Sequence, residues 1–199
     1  MPTMSRLQAA GHLNGILRLN RRANVMVATA LFPLLAAAFV FAEEIVGIVY
    51  TDTFVEAVPA MRVYIIGMIA SVIEIGSIVQ LLKQGAFAMR MTAATLAVSV
   101  AVSFGGAHWI GLTGAAFGSV LALYLDRAFM LRRISRLTSV PLARVQDWRA
   151  LAWALGTTLI AGALAWFAAP ESNAFLRVVA GSAILGAAYA ALNWKKFLR

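Results

Sequence analysis

Residues 91–125 read MTAATLAVSVAVSFGGAHWIGLTGAAFGSVLALYL, a run of 35 residues without a charged side chain. A single helix of that length, at about 1.5 Å per residue, would overshoot a hydrocarbon core about 30 Å thick. The run therefore predicts two membrane-spanning helices that fold back on each other. We expect the turn between Gly105 and Gly111. Glycines there permit backbone conformations that other residues avoid, and Trp109 suits the membrane interface.

The composition of the whole chain also indicates a membrane protein. Hydrophobic residues make up 62% and charged residues 13% of the sequence, whereas soluble domains average about 45–50% and about 25%. Runs with few charges predict an all-α, polytopic fold with spans at residues 23–42, 58–82, 88–107, 110–127, 150–169 and 174–194. These six helices form one membrane lobe, residues 23–194, between a basic N-terminal segment (1–22) and a basic tail (195–199). Pro33 predicts a kink in the first span.

The placement of charge predicts the orientation of these helices. The chain has 17 lysines and arginines against 8 acidic residues, a net charge of +9. In an alternating six-helix path, all but two of the basic residues fall on the side that holds both termini. Under the positive-inside rule that side is cytoplasmic, so we expect a multi-pass inner-membrane protein with both termini in the cytoplasm. The two exceptions are Arg62 and Arg177, which share the other side with Glu43, Glu44, Asp52, Glu56 and Glu171.

The most basic stretch, residues 127–149, has two readings. Its arginines enforce the topology, or the stretch lies as an interfacial helix against anionic membrane lipid. No aromatic stacking platform accompanies the charge, so we do not expect nucleic acid as a partner.

The sequence lacks the patterns of enzymes and metal sites. It has no cysteine, and its two histidines, His12 and His108, lie far apart. No metal-ligand spacing, nucleophile motif or phosphate-cradling loop is present. We therefore expect no catalytic residue, no metal and no cofactor.

Glu74 is the one acidic residue predicted well inside a span. In a continuous helix over residues 58–82, its side chain shares an arc of about 120° with Gly67, Ser71 and Ser77. An ionisable group inside a membrane indicates a substrate or ion pathway by default. The alternative to a pathway is that the carboxyl group of Glu74 is protonated or is paired with a structural partner. Arg62 is not an obvious partner, because it lies about 18 Å away along the helix axis.

Two further patterns concern the faces of the later spans. Thr92, Thr95, Ser99 and Ser103 lie within an arc of about 80° and either line a pathway or form hydrogen bonds between helices. Small residues at helical spacing predict close helix packing; they are Gly111, Gly114, Gly118, Ser182 and Gly186.

Four segments resemble, in order, segments of the polysaccharide and lipid-linked oligosaccharide flippases of the multidrug/oligosaccharidyl-lipid/polysaccharide exporter superfamily. They are MPTMSRLQ (1–8), FPLLAAAFVFAEEIVGIVY (32–50), FVEAVPAMR (54–62) and GLTGAAFG (111–118). The resemblance covers the C-terminal lobe of these two-lobed proteins, so we expect either a missing N-terminal lobe or a second copy as a partner.

The resemblance implies a function in O-antigen-type export. The complete protein would move a polyprenyl-pyrophosphate-linked glycan across the inner membrane by alternating access, with cationic residues holding the pyrophosphate. Arg62 and Arg90 are the candidates for that contact, and Glu74 is the candidate for ion coupling or gating. Two alternatives stay open: a lobe of a multidrug and toxin antiporter, which the single deep acid disfavours, and a non-transporting membrane subunit of a glycan-export complex.

Overall fold

The structure, a computed structural model, describes residues 13–50, 52–170 and 173–197. Regular structure in these ranges is helical throughout. The elements are α1 (Leu13–Val40), α2 (Ala42–Val49), a 3₁₀ helix (Asp52–Ala57), α3 (Val58–Ser71), α4 (Gly76–Leu81), α5 (Gly85–Ile110), α6 (Leu112–Thr138), α7 (Leu142–Val145), α8 (Trp148–Ala168) and α9 (Ala174–Phe197). The predictions for the motif at 1–8, Arg6, His12, Glu171 and Arg199 lie outside the described residues.

Six helical stretches among the described residues are long and apolar enough to cross a membrane. They are α1, the 3₁₀ helix continued into α3 (Thr53–Ser71), α5, α6, α8 and α9. The predicted all-α, six-helix membrane fold is therefore confirmed. The side on which the termini lie stays a prediction.

Two of the six long helices, α1 and α3, form a central pair, and the other four pack on this pair as two hairpins. The α5–α6 hairpin packs on α3 through α6, and the α8–α9 hairpin packs on α1. Apolar side chains from α1, α3 and α8 form the core between them, with Ala28, Phe32 and Val72 almost fully buried. Because α5 contacts mainly α6, it forms one edge of the lobe and leaves large apolar residues such as Phe104 exposed.

Several helix ends follow from local side-chain chemistry. Asp147 Oδ1 accepts a hydrogen bond from the backbone N–H of Ala150 at 3.0 Å and so caps α8. Asn173 Oδ1 accepts from Leu176 at 2.9 Å in the same way at the start of α9. Each side chain satisfies one of the backbone donors that a helix start leaves unpaired. At the start of α3, Pro59 occupies one of the first positions, where a missing N–H costs nothing.

The turn between α5 and α6 is tighter than predicted. Helix α5 continues through Gly105 and Gly106 to Ile110, and only Gly111 lies between the two helices. Its φ of +65° belongs to a region that L side chains rarely adopt, so glycine permits the reversal in one residue. The expected turn across residues 105–111 is thus a one-residue turn.

The predicted second span, residues 58–82, is not one helix. Helix α3 ends at Ser71, and the separate short helix α4 begins at Gly76. Side chains of α1 stabilise the break, because Asn20 and Asn24 donate hydrogen bonds to the main-chain carbonyl of Glu74. The polar face predicted for Gly67, Ser71 and Ser77 with Glu74 is therefore wrong.

Helices α1 and α6 extend beyond their predicted spans. Helix α1 begins at Leu13, inside the predicted N-terminal segment, and Pro33 lies within it without ending it. Helix α6 continues to Thr138 because Met130, Leu131 and Ile134 are buried in an apolar cluster with residues of α1 and α4. The start of the basic stretch is therefore a continuation of a span, and the kink at Pro33 stays a prediction.

Candidate functional site

Glu74 lies in the break between α3 and α4, at the end of the lobe where α1 begins. Its Oε1 accepts a hydrogen bond from the backbone N–H of Ser77 at 3.1 Å. Its Oε2 accepts from Nδ2 of Asn20 at 3.3 Å. The carboxylate therefore satisfies a free donor in the first turn of α4 and contacts α1 at the same time. Its side chain is exposed at the surface rather than buried inside the lobe.

Three buried amide side chains surround the backbone at this break. Asn20, Asn24 and Gln146 are only 2%, 2% and 1% exposed. Asn20 and Asn24 donate from Nδ2 to the main-chain carbonyl of Glu74 at 2.9 and 3.2 Å. Asn24 also donates to Oε1 of Gln146 at 3.1 Å, and Gln146 donates to Oδ1 of Asn20 at 3.4 Å. This amide cluster (Asn20, Asn24, Gln146) joins α1, the α3–α4 break and the segment before α8.

Sequence reasoning missed the amide cluster, although part of its signal was present. Asn20 and Asn24 are four residues apart, so they share one face of a helix. A buried amide without a hydrogen-bond partner is costly, so a pair on one face predicts a polar partner elsewhere in the chain. Gln146 and the carbonyl of Glu74 are distant in sequence, and no local pattern identifies them as that partner.

The other end of the lobe neutralises its two arginines. Arg62 Nη1 lies 3.2 Å from Oε1 of Glu43, and Arg177 Nε lies 3.2 Å from Oε1 of Glu44. The guanidinium of Arg62 also donates from Nε to the carbonyl of Phe39 at 3.2 Å. The two acids are adjacent on α2, so this short helix contacts both α3 and α9 through ion pairs. Arg62, a candidate for pyrophosphate contact, therefore has its charge compensated here.

The predicted polar stripe on α5 lies against α6. Thr92 Oγ1 donates to Asp126 Oδ1 at 3.4 Å, and Ser103 Oγ donates to the carbonyl of Ala115 at 2.8 Å. Thr95 is buried and donates to carbonyls of its own helix at 3.0 and 3.1 Å. Ser99 belongs to the same contact, since its carbonyl would lie 2.8 Å from a Cβ placed on Gly118. Thr92 and Ser103 thus form hydrogen bonds between the helices, as in the second alternative, whereas Thr95 bonds within α5.

The five predicted packing residues have different surroundings. A Cβ added to Gly114 or Gly118 would collide with α5, so both lie in the tightest part of the α5–α6 contact. Gly111 forms the turn instead, and a Cβ on Gly186 would meet no atom within 4 Å. Ser182 is half-buried, while its neighbour Gly181 lies directly against the ring of Phe41. The packing prediction is therefore wrong for Gly111 and Gly186, and on α9 the close approach is made by Gly181.

Arg90 lies near the start of α5 and is exposed. It belongs to the end of the lobe that we call the basic end, where α1 begins, α5 begins and α6 ends. The opposite end, with α2, is the acidic end. Residues of the basic end include Arg18, Arg21, Lys83, Arg90, Arg133 and Arg144.

Helices α8 and α9 share a second buried polar contact. Asn193 Nδ2 donates to Oγ1 of Thr157 at 3.1 Å, and its Oδ1 accepts from Nε1 of Trp153 at 3.2 Å. Asn193 and Thr157 are buried, and these bonds connect the two helices inside an otherwise apolar region. Hydrogen bonds of this kind hold membrane helices together at about 0.6–2 kcal/mol each. We assign this contact to the packing of the α8–α9 hairpin.

An apolar groove of about 360 Å³ lies between α1, α3 and α8. It is lined almost wholly by hydrocarbon, and Thr158 contributes the hydroxyl at its edge. The lining side chains are Phe32, Leu35, Ala36, Phe39, Val40, Ile65, Ile66, Ile69, Leu155, Thr158, Leu159 and Gly162. A groove of this composition accepts a hydrocarbon chain and excludes charged groups.

No group of three or more potential metal-ligating side chains occurs in the part of the chain that the structure describes. The described residues thus form an amide cluster at the basic end, ion pairs at the acidic end and an apolar groove between them.

No protein-family model, no curated protein and no solved structure matches the chain.

Proposed function

We propose that the chain is a lobe of an inner-membrane transporter that flips lipid-linked oligosaccharide or polysaccharide precursors. The motif resemblance to flippases supports the substrate class, a polyprenyl-pyrophosphate-linked glycan. The six membrane-length helices support a location in a membrane. In this proposal the basic end faces the cytoplasm, and a second lobe, from an N-terminal partner or from another copy, completes the path.

The observation that carries the proposal is the apolar groove. The substrate of this proposal carries a long hydrocarbon tail, which stays in an apolar environment while the polar headgroup crosses. The groove lies beside the half of α1 that follows Pro33 and is bounded by Leu35, Phe39 and Ile65. Hydrocarbon that leaves the lipid phase loses no hydrophobic stabilisation in such a groove, and close packing adds dispersion contacts. We assign the groove to the prenyl tail.

The proposal revises the roles of the candidate residues. Arg90 is exposed at the basic end and keeps its candidate role in headgroup contact. Arg62 is paired with Glu43, so a role for Arg62 in holding pyrophosphate would need that pair to open. Glu74 holds the start of α4 and contacts Asn20, which makes it a positioning residue for the basic end.

Gly162 offers a matched test of the groove. A Cβ at this position would meet Val40 and Ala36 at 3.6 and 3.9 Å, an ordinary van der Waals distance. Gly162→Ala is therefore expected to leave the groove open. Gly162→Leu adds three further carbon atoms that occupy it. We expect a polyprenyl-diphosphate oligosaccharide with a photoreactive group in its tail to label wild type and Gly162→Ala at the groove, and to label Gly162→Leu at least about fivefold less.

Transfer of the headgroup is measured with the same chain in vesicles. The glycan of the lipid-linked oligosaccharide is added to one leaflet, and its arrival in the other is followed by glycosidase access. Where two copies of the chain pair to complete the path, we expect faster transfer than in protein-free vesicles, and slower transfer for Gly162→Leu than for Gly162→Ala. A chain that stays a single lobe should transfer no headgroup. Equal labelling of all three proteins, or labelling only outside the groove, would contradict the assignment. Transport of a cationic dye without transfer of the glycan would instead identify the antiporter alternative.

A further inference from the structure

A second pocket of about 400 Å³ lies at the basic end, where the start of α1 meets the turn between α6 and α7. Three arginines line it: Arg18 and Arg21 from α1, and Arg144 from α7. Asn14 and Ser139 add polar groups to its wall. None of the described residues that line the pocket is acidic, so three positive charges share one small volume without a described carboxylate among its lining.

The arrangement of these arginines is built by the fold. Arg21 donates from Nη1 to the main-chain carbonyl of Arg144 at 3.0 Å, which ties α1 to α7 across the pocket. Ser139 ends α6 with a φ of 55°, and this reversal brings α7 back towards α1. Buried Val145 and Leu17 belong to one apolar cluster beneath the pocket. The side chains thus come from segments far apart in sequence and lie on a packed base.

The sequence predicts that the pocket lies close to the level of the lipid headgroups. The uncharged run of the first span begins at Ala23, about 3 Å along the helix axis from Arg21. Leu17 and Val140 add apolar lining beside the arginines. Arginine side chains at such a boundary meet the phosphates of the adjacent leaflet, and basic pockets between membrane helices bind anionic headgroups.

Phosphate is the group that this chemistry fits. Guanidinium groups form charge-assisted, often bidentate hydrogen bonds to phosphate oxygens, and these bonds are about twice as strong as neutral ones. A phosphodiester in the pocket would offset the mutual repulsion of the three arginines. We propose that this pocket binds the phosphate of an anionic membrane phospholipid. The proposal concerns a lipid bound to the lobe and does not depend on the transport function.

Native mass spectrometry of the full chain in detergent tests the site. The probes are phosphatidylglycerol and phosphatidylcholine with the same acyl chains. We expect wild type to retain phosphatidylglycerol preferentially, and the double substitution Arg18→Gln, Arg144→Gln to weaken that binding about tenfold. Arg21 stays in place because it holds α7. The control is Arg132→Gln, Arg136→Gln, which removes the same charge from two exposed positions outside the pocket.

The outcomes distinguish lipid binding in the pocket from general electrostatic attraction of an anionic lipid to the basic end. Loss in the pocket variant with retention in the control supports the site, provided that both variants keep the wild-type unfolding temperature. Equal loss in both variants, or full retention in the pocket variant, overturns it. A molar excess of inorganic phosphate or diphosphate is added in a separate arm. Displacement of the lipid by these soluble anions at comparable affinity would overturn the lipid as the source of the phosphate.

Discussion

Two adjacent glycines in α5 have opposite surroundings. A Cβ on Gly106 would lie directly against the backbone of Gly114 in α6, whereas a Cβ on Gly105 would meet no atom within 4 Å. The two helices therefore approach closely at Gly106 and Gly114. One turn earlier in α5, Ser103 donates a hydrogen bond to α6. At Gly105 the absence of a side chain serves no contact in the described structure and only weakens the helix.

Alanine at these two positions should change stability in opposite directions. We expect Gly106→Ala to reduce the free energy of unfolding by about 1–3 kcal/mol, because the added methyl group forces α5 and α6 apart. We expect Gly105→Ala to raise it by about 0.5–1 kcal/mol through helix propensity. Unfolding of the two variants in the same detergent measures the difference. Equal effects would show that the close approach of the helices is absent.

At the scale of elements, the break between α3 and α4 is held by polar hydrogen bonds. Helix α3 ends at Ser71, and in the break that follows the carbonyl of Glu74 accepts hydrogen bonds from Asn20 and Asn24 of α1. The carboxylate of Glu74 then starts α4 by accepting from Ser77. The break places Ile75 and Ile78 in the apolar cluster with Leu17. Polar bonds and apolar packing thus fix the same reversal of the chain.

Substitution of Glu74 separates its charge from its hydrogen-bonding role. Glu74→Gln keeps an oxygen that accepts from Ser77, so we expect α4 to stay folded. Glu74→Ala removes the acceptor and should cost about 0.5–2 kcal/mol at the start of α4. Hydrogen exchange of the amides in Gly76–Leu81 measures this, with faster exchange expected only in the alanine variant. Equally fast exchange in both variants would mean that the charge itself holds the helix.

The sequence predicts the six membrane-length helices well, because each prediction rests on the composition of a run of about twenty residues. It fails where one or two residues decide the backbone. The run at 91–125 predicts a hairpin, yet only the backbone geometry identifies Gly111 as the whole turn. The break at Glu74 was missed because the side chains that stabilise it, Asn20 and Asn24, lie about fifty residues away in the sequence. The hairpin predicted for residues 91–125 places a second helix beside the polar stripe, but the partners of its hydroxyl groups on that helix, Ala115 and Asp126, became known only from the fold.

For the whole molecule, charge divides the lobe into two different ends. The acidic end pairs its two arginines with Glu43 and Glu44 on α2. The basic end keeps many arginines exposed, including Arg90, Arg132 and Arg136. Each pair cancels one positive against one negative charge, so both arginines of the acidic end are compensated. This contrast is the physical basis for the predicted orientation, with the basic end in the cytoplasm.

Single cysteines test that orientation without interference, since the chain has none of its own. We place one at the basic end with Arg132→Cys and one at the acidic end with Glu56→Cys; both positions are exposed. A membrane-impermeant maleimide added to the outer face of the inner membrane should label Glu56→Cys at once. Arg132→Cys should be labelled only after the membrane is opened. The reverse pattern would place the basic end outside.

The one-residue turn at Gly111 has a consequence for how the chain enters the membrane. Three connections have to cross to the acidic end, and two of them carry charge, including Glu43, Glu44 and Glu171. Charged side chains cost about 2.5–3.5 kcal/mol each at the centre of the bilayer on insertion scales. The α5–α6 connection carries no charged side chain, since residues 91–125 are uncharged. This pair can therefore be inserted as one hairpin, and its translocation does no work for or against the membrane potential.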